Sequence, residues 1–258
     1  MVVEAIPKMT GMIYAIIGFF ILVVLFYKNR FNRKIGYLFI VTSTIVGFLV
    51  FAPMFPNQFQ LLILGKEWEN QAAIVGFLLF IVLTFVFGRI FCGYLCPIGA
   101  IQELVYSAPV KKLRITSKTL PVHLLFFIVF LFFGLVFSVG ILTYLGFRDF
   151  FYLNITSPFF YVFLVLLVIS AVIYRPFCRF FCPYGVLLSL ASARSLFKLR
   201  RNDSCINCKK CERACPTNEA DGDAKLECYL CNRCVDACPV NAIEYVRNDF
   251  LSKKGGCV

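Results

Sequence analysis

Residues 88–104, GRIFCGYLCPIGAIQEL, return with small changes at 174–190 as YRPFCRFFCPYGVLLSL. Both stretches carry Arg-x-Phe-Cys-x-x-x-Cys-Pro-x-Gly. The first copy supplies Arg89, Cys92, Cys96, Pro97 and Gly99, the second Arg175, Cys178, Cys182, Pro183 and Gly185. Thiols four residues apart share one face of a helix. Proline cannot continue a helix but starts one well, and glycine permits close packing or a sharp turn. Each copy is therefore expected to end a membrane helix in a cysteine pair, turn at Cys-Pro and begin a short interfacial helix.

Working outward, the flanking sequence places both copies at a membrane. The chain has 258 residues, of which 60% are apolar, with 31 Phe; soluble domains hold about 45–50% apolar residues. No charge interrupts residues 9–27, 35–65, 70–88, 119–147 or 150–174, and about 20 apolar residues span a bilayer core as helix. The expectation is an all-α integral membrane protein with about five transmembrane helices, near 9–28, 35–55, 72–91, 122–145 and 157–176, arranged as two repeated helical hairpins. Basic residues collect in cytoplasmic loops. Lys28, Arg30, Arg33 and Lys34 follow the first helix, Lys111, Lys112, Arg114 and Lys118 the third, and Arg175, Arg179, Arg194, Lys198, Arg200 and Arg201 the fifth. That pattern predicts a multi-pass protein of the cytoplasmic membrane with its N-terminus outside and its C-terminus inside. Residues 1–27 lack the basic start and small-residue cleavage site of a signal peptide, so they are expected to remain as a helix. The net charge of +12 suits anionic lipid, and no nucleic-acid-binding signature accompanies it.

Thirteen cysteines then need a purpose. The motif cysteines fall on the predicted cytoplasmic side, where disulfides are disfavoured against metal or redox sites. Eight form two runs ending in Cys-Pro: Cys205, Cys208, Cys211 and Cys215, then Cys228, Cys231, Cys234 and Cys238. Such spacing wraps three thiolates around one cubane and lends the fourth to its neighbour. The expected sets are Cys205, Cys208, Cys211 with Cys238, and Cys228, Cys231, Cys234 with Cys215, each holding a 4Fe–4S cluster. Zinc knuckles are the alternative. The domain reading follows: residues 1–200 as the membrane domain, 201–247 as a bacterial-type double-cluster ferredoxin domain with Ile206, Tyr229, Leu230, Val235, Val240 and Ile243 as its apolar wrapper, and 248–258 as a tail.

For Cys92, Cys96, Cys178 and Cys182 three readings stay open: a further iron–sulfur or other thiolate-bound metal centre, dithiol/disulfide pairs, or inert packing. A pseudo-two-fold axis along the membrane normal would bring the four together, and Arg89, Arg175 and Arg179 would offset their charge and favour thiolate. Tyr94, Gln102, Glu103, His123 and Tyr184 are the polar residues available to a quinone headgroup. His123 is the sole histidine, which excludes bis-histidine haem, and no haem is expected. Cys257 does not fit a prenylation box.

Two Cys-x-x-x-Cys-Pro elements followed by a double ferredoxin run resemble the NapH-type membrane polyferredoxins, which include the MauN proteins and the membrane half of NosR. The resemblance covers about residues 72–247 and carries over to the twelve motif cysteines. It implies a membrane iron–sulfur protein, quinol-dehydrogenase-like, passing electrons between the quinone pool or a cytoplasmic donor and a partner oxidoreductase. The five expected helices differ from the four usual in NapH. A second function class is a membrane redox protein for maturation or sensing, reducing a metal or disulfide during assembly of another enzyme.

Overall fold

The structure, a computed structural model, describes residues 2–51, 54–65, 71–115, 119–220 and 225–247; Lys66, Glu67, Glu69, Lys118, Cys257 and the 248–258 tail lie outside them. Helices α1 (Val2–Tyr27), α2 (Arg33–Val50), α3 (Phe55–Ile63) and α4 (Gln71–Phe87) lead to the first cysteine motif, where a π-helical turn, Phe91–Leu95, precedes α5 (Pro97–Tyr106). Then α6 (Leu120–Phe137), the short α7 (Ile141–Tyr144) and α8 (Phe147–Phe151), and α9 (Pro158–Ser170) lead to the second, where the π turn Phe177–Phe181 precedes α10 (Pro183–Ala193). The C-terminal segment adds β1 (Phe197–Arg201), α11 (Lys210–Ala214), α12 (Arg233–Asp236) and β2 (Ile243–Arg247).

Among the described residues, three helices are long and apolar enough to cross a bilayer: α1 over Thr10–Tyr27, α2 and α6. Eighteen residues rise about 27 Å, close to a hydrocarbon core of about 30 Å. Helices α4 and α9 are apolar but shorter. A helix forms within each of the five expected stretches, shorter than expected where local geometry ends it. Phe51 (φ 51°) and Ser138 (φ 52°) take left-handed conformations, so α2 stops at Val50 and the 122–145 stretch breaks into α6 and α7. Helix α9 ends at Ser170, short of residue 176. At the start of α2, Asn32 accepts from the Lys34 amide at 3.2 Å, satisfying one orphan donor. Ile17, Leu38, Leu49, Val82, Leu125, Ile128, Leu135 and Val165 are exposed, apolar surface of the kind that a membrane or an apolar partner covers.

The all-α expectation needs one correction. Strands β1 and β2 pair antiparallel, with Phe197 opposite Arg247 and Arg201 opposite Ile243. The basic stretch FKLRR reads as a cytoplasmic tail in isolation; Tyr245 and Leu199, opposite each other and buried, turn it into a strand. A boundary at residue 200 therefore cuts through β1, and the C-terminal unit reaches back to Phe197.

Helices α5 and α10 also depart from an interfacial placement, because both fold back into the bundle. Pro97 faces Gly47 in the last turn of α2, whereas Glu103 shares a crevice with Arg33 at the start of that helix. Helix α5 thus runs antiparallel to α2 from the bundle interior toward the basic surface. Tyr184, at the start of α10, donates to the Phe77 carbonyl at 3.1 Å, ten residues or about 15 Å before α4 ends. At its other end the Leu196 amide donates to Phe85 O at 3.1 Å. Phe55, Phe80 and Phe91 pack with Tyr184 around the inner tips, at centroid distances from 4.6 to 5.4 Å.

Candidate functional site

The π turn changes how each cysteine pair is presented. In the first copy the Cys96 amide donates to Phe91 O at 2.9 Å, a wider turn than α, of the kind found at functional sites. Cys92 and Cys178 lie within the π turns, while Cys96 (ψ 119°) and Cys182 (ψ 104°) are extended N-caps of α5 and α10. The pairs do not stack on one α-helical face as spacing predicts. The four thiols still come together from the two copies: all are buried, Cys96 lies within electrostatic reach of Cys92 and Cys178, and Cys182 of the other three. The Gly185 amide donates to Cys182 Sγ at 3.2 Å, and Gln102 Nε2 to Cys178 Sγ at 3.5 Å. Among the described residues no three His, Cys, Asp or Glu side chains close to the spacing of a single metal ion. The donor set itself, four buried thiols ringed by guanidinium groups, matches soft, thiolate-bound centres.

Arg89 and Arg175 lie within electrostatic reach of Cys178, Arg179 follows it in sequence, and two of these three arginines are paired with acids. Arg175 donates from Nε to Glu103 Oε2 at 3.0 Å and from Nη2 to Gly93 O at 2.7 Å, and it also bonds Cys92 O. Arg179 meets Glu227 Oε2 at 2.9 Å, and Thr119 donates to the other carboxylate oxygen. Glu103 serves Arg233 as well, at 2.5 Å. Burial opposes a charge on Glu103, but Arg175 and Arg233 together hold its carboxyl below the usual range. Arg89 is the third, buried between Ser189 and the Tyr229 ring.

The C-terminal thiols frame two cavities. One is lined by Cys205, Cys208, Cys211 and Cys238, with Ile206, Val240 and Ile243. The other is lined by Cys215, Cys228, Cys231 and Cys234, with Tyr174, Tyr229 and Leu199. Each cavity is thus lined by three cysteines of one run and the last cysteine of the other. The Glu219 amide donates to Cys215 Sγ at 3.3 Å and the Ala242 amide to Cys238 Sγ at 3.2 Å, fixing the orientation of both sulfurs. Burial pushes the Cys228 thiol up to about 12 and raises Cys231 and Cys234, so loading the second cavity displaces protons. All twelve described cysteines are free.

A strap, residues 225–230, joins the two thiol regions. Ser192 donates to Lys225 O at 3.1 Å, Arg89 to Leu226 O at 3.3 Å and Tyr94 to Leu230 O at 2.8 Å. A Cβ at Gly93 would stand 2.5 Å from Tyr229 O. Cys228 of the strap lines a ferredoxin cavity, and the neighbouring Tyr229 lies within electrostatic reach of Cys92 and Cys178.

The five polar residues read as quinone-facing are all buried, each with an internal partner. Tyr94 and Tyr184 donate to backbone carbonyls, Gln102 holds Ile98 O and the Phe177 amide, and His123 Nε2 lies 2.7 Å from Cys182 O. Only Tyr94 and Glu103 border a described crevice, with Arg33, Tyr37 and Cys231. Sequence reasoning missed Glu227, Arg233 and Ser189, and read Tyr229 only as part of the apolar wrapper. Glu227 and Arg233 occupy unassigned positions beside the cysteines of the second run. Ser189 emerges when the two copies are laid over each other, because it stands where the first copy has Glu103.

Two families, each described as a 4Fe-4S binding domain, match the chain, one at residues 69–116 and 158–202 and the other at 225–244. Each span of the first contains one copy of the cysteine motif. The Methanocaldococcus jannaschii protein MJ0749 is 34% identical over 199 residues, covering 73% of this chain and 75% of its own length. The putative electron transport protein YccM of Escherichia coli is 30% identical over 194 residues, 67% of this chain and 54% of YccM. The regulatory protein NosR of Pseudomonas aeruginosa is 32% identical over 186 residues, 63% of this chain and 26% of NosR. No solved structure matches. The chain belongs to the 4Fe–4S membrane electron-transfer family of NapH-type polyferredoxins.

Proposed function

We propose that the protein is an electron-transfer subunit passing electrons between the quinone pool or a cytoplasmic donor and a partner oxidoreductase. The observation that carries this reading is the strap: one six-residue segment bonds Arg89 and Tyr94 of the first copy and Arg179 of the second, and lines a four-thiol cavity. Two 4Fe–4S clusters would be held by Cys205, Cys208, Cys211, Cys238 and by Cys228, Cys231, Cys234, Cys215, with a further thiolate-bound centre at Cys92, Cys96, Cys178 and Cys182. Such clusters supply one-electron exchange at a potential set by their surroundings. Backbone amides of Gly185, Glu219 and Ala242 orient sulfurs, and Tyr174, Tyr229 and Leu199 line the second cavity against water. Five crossings with the ferredoxin unit in the cytoplasm would put the crevice of Tyr94 and Glu103 at the membrane surface, within reach of a quinone headgroup.

Anaerobic purification with iron and sulfide analysis tests the reading. Cys238→Ser should damage the site of Cys205, Cys208 and Cys211 and spare its neighbour, and stoichiometric zinc without iron would end the proposal. Rapid cluster reoxidation by quinone analogues supports electron transfer. The second reading, a redox protein for maturation or sensing of another enzyme, draws on the printed name of NosR as a regulatory protein; slow cluster chemistry with loss of cofactor from a partner would favour it.

A further inference from the structure

The 86-residue offset that carries Arg89 to Arg175 also carries Glu103 to Ser189. The structure makes the offset reciprocal. Arg175 of the second copy reaches Glu103 of the first, at 3.0 Å, and Arg89 of the first reaches Ser189 of the second, at 2.9 Å. The two contacts occupy matched places and differ in charge, since one guanidinium meets a carboxylate and the other a hydroxyl.

Arg89 is 1% exposed, and its Nε and Nη2 have no hydrogen-bond partner among the described residues. Its Nη1 bonds only Ser189 and Leu226 O, and its plane lies 4.3 Å from the Tyr229 ring centroid. Glu227 is near but is already held by Arg179 and Thr119. A buried cation with no carboxylate bonded to it is unfavourable. Glu219 and His123 lie in electrostatic reach without a hydrogen bond to Arg89 among the described residues, as do Tyr229, Cys92 and Cys178. Neutral thiols provide no counter-charge, and a disulfide provides none either. Thiolates on a metal centre do.

We propose that Arg89, which bonds no carboxylate among the described residues, is a counter-cation of an anionic thiolate-bound centre at Cys92, Cys96, Cys178 and Cys182, and that it raises the reduction potential of that centre. The proposal rests on the reading that these four cysteines hold such a centre. A fixed cation favours whichever state carries one more electron, so neutralising it makes reduction harder. Arg89 acts here as a positioning and charge-setting residue. Ser189 sets how strongly it acts, because an acid at that position would reproduce the Arg175–Glu103 pair.

The test is a redox titration, followed by electron paramagnetic resonance, of the full chain purified anaerobically in detergent. The signal to follow is the one lost in Cys92→Ser and Cys178→Ser. Its midpoint should move negative in both Arg89→Gln and Ser189→Glu, while Arg89→Lys and Ser189→Gln stay near the parent and the ferredoxin signals hold still. If Arg89→Gln loses the centre, Ser189→Glu carries the test, since it retains the guanidinium and changes only the charge beside it. An unmoved midpoint in Ser189→Glu with iron intact overturns the proposal. So does loss of the centre in all four variants, which would mean that packing alone matters there. If Cys92→Ser and Cys178→Ser cost neither iron nor a signal, the underlying four-cysteine reading fails, whatever the Arg89 variants do.

Discussion

The two copies of the cysteine motif share a local shape and differ in what surrounds it. Each has a π turn, a cysteine at the cap, a proline-led helix and a glycine against the preceding cysteine carbonyl. At matched positions the first copy has Gly93, Gln102 and Glu103 where the second has Arg179, Leu188 and Ser189. Gly93 lets the Tyr229 carbonyl come close, whereas Arg179 draws in Glu227. The strap is thus held on one side by backbone proximity and on the other by an ion pair. The first copy also carries the carboxylate that neutralises its partner, and the second does not. The duplicated geometry presents the thiols, and the substitutions at matched positions hold the strap and give Arg89 a hydroxyl where Arg175 has a carboxylate.

The largest expected effect comes from removing the acid that the second copy lacks. Glu103→Gln strips two guanidinium groups, Arg175 and Arg233, of their carboxylate, and breaking a buried pair in this way costs about 3–5 kcal/mol. Ser189→Ala at the matched place removes a neutral hydroxyl that accepts from Arg89 and donates to Gly185 O, and should cost about 0.5–1.5 kcal/mol. Thermal unfolding in detergent measures both, and equal losses would break the asymmetry. The pH dependence sharpens it. Arg175 and Arg233 outweigh burial and depress the folded pKa of Glu103, so its contribution is present above the unfolded carboxyl value of about 4.3 and is lost as pH falls through the lower folded value. The gap between parent and Glu103→Gln should therefore close in acid.

A smaller effect is expected where the strap meets the first copy. Gly93→Ala sets a methyl 2.5 Å from Tyr229 O, and overpacking of this kind costs about 1–3 kcal/mol. Because the obstacle is the backbone of the strap, the ferredoxin unit should loosen before the membrane helices do. Limited proteolysis should cut within residues 201–247 sooner than in the parent, with the helical signal unchanged. Uniform destabilisation of both regions would argue against a strap attached at this point.

How far these features could be read beforehand depended on whether their cause is local. The crossed cysteine groups follow from spacing alone, and the chain places Cys238 with Cys205 and Cys215 with Cys228 in the cavities. Pro97 and Pro183 begin helices because a fixed φ and a missing amide suit that position. The direction of those helices was not legible, since it depends on Gly47 accepting Pro97 and on Phe77 offering its carbonyl to Tyr184, both distant in sequence. Strand β1 was hidden for the same reason, with its partner over forty residues away. The arginines were visible as charges, but their pairing required Glu103 and Glu227, which sit in different segments.

The finest comparison concerns Gly99 and Gly185, matched glycines in α5 and α10. Neither has the left-handed φ that would demand glycine, so alanine is tested by space alone. At Gly99 an added Cβ stands 2.6 Å from the Cys92 carbonyl oxygen and 3.1 Å from Arg175 Nη1. That carbonyl also accepts from Arg175, so displacing it disturbs the Glu103 pair. At Gly185 the closest atoms are Cys178 O at 3.0 Å, Cys182 Cβ at 3.2 Å and His123 Cε1 at 3.2 Å, contacts that shifts of a few tenths of an ångström relieve. Alanine gains about 0.5–1 kcal/mol over glycine within a helix, enough to offset the mild crowding at Gly185 but not the backbone clash at Gly99. Gly185→Ala should unfold within about 0.5 kcal/mol of the parent, and Gly99→Ala should lose about 1–2 kcal/mol together with part of the iron associated with Cys92. The reverse order would mean that the second copy, not the first, sets the close packing around the thiols.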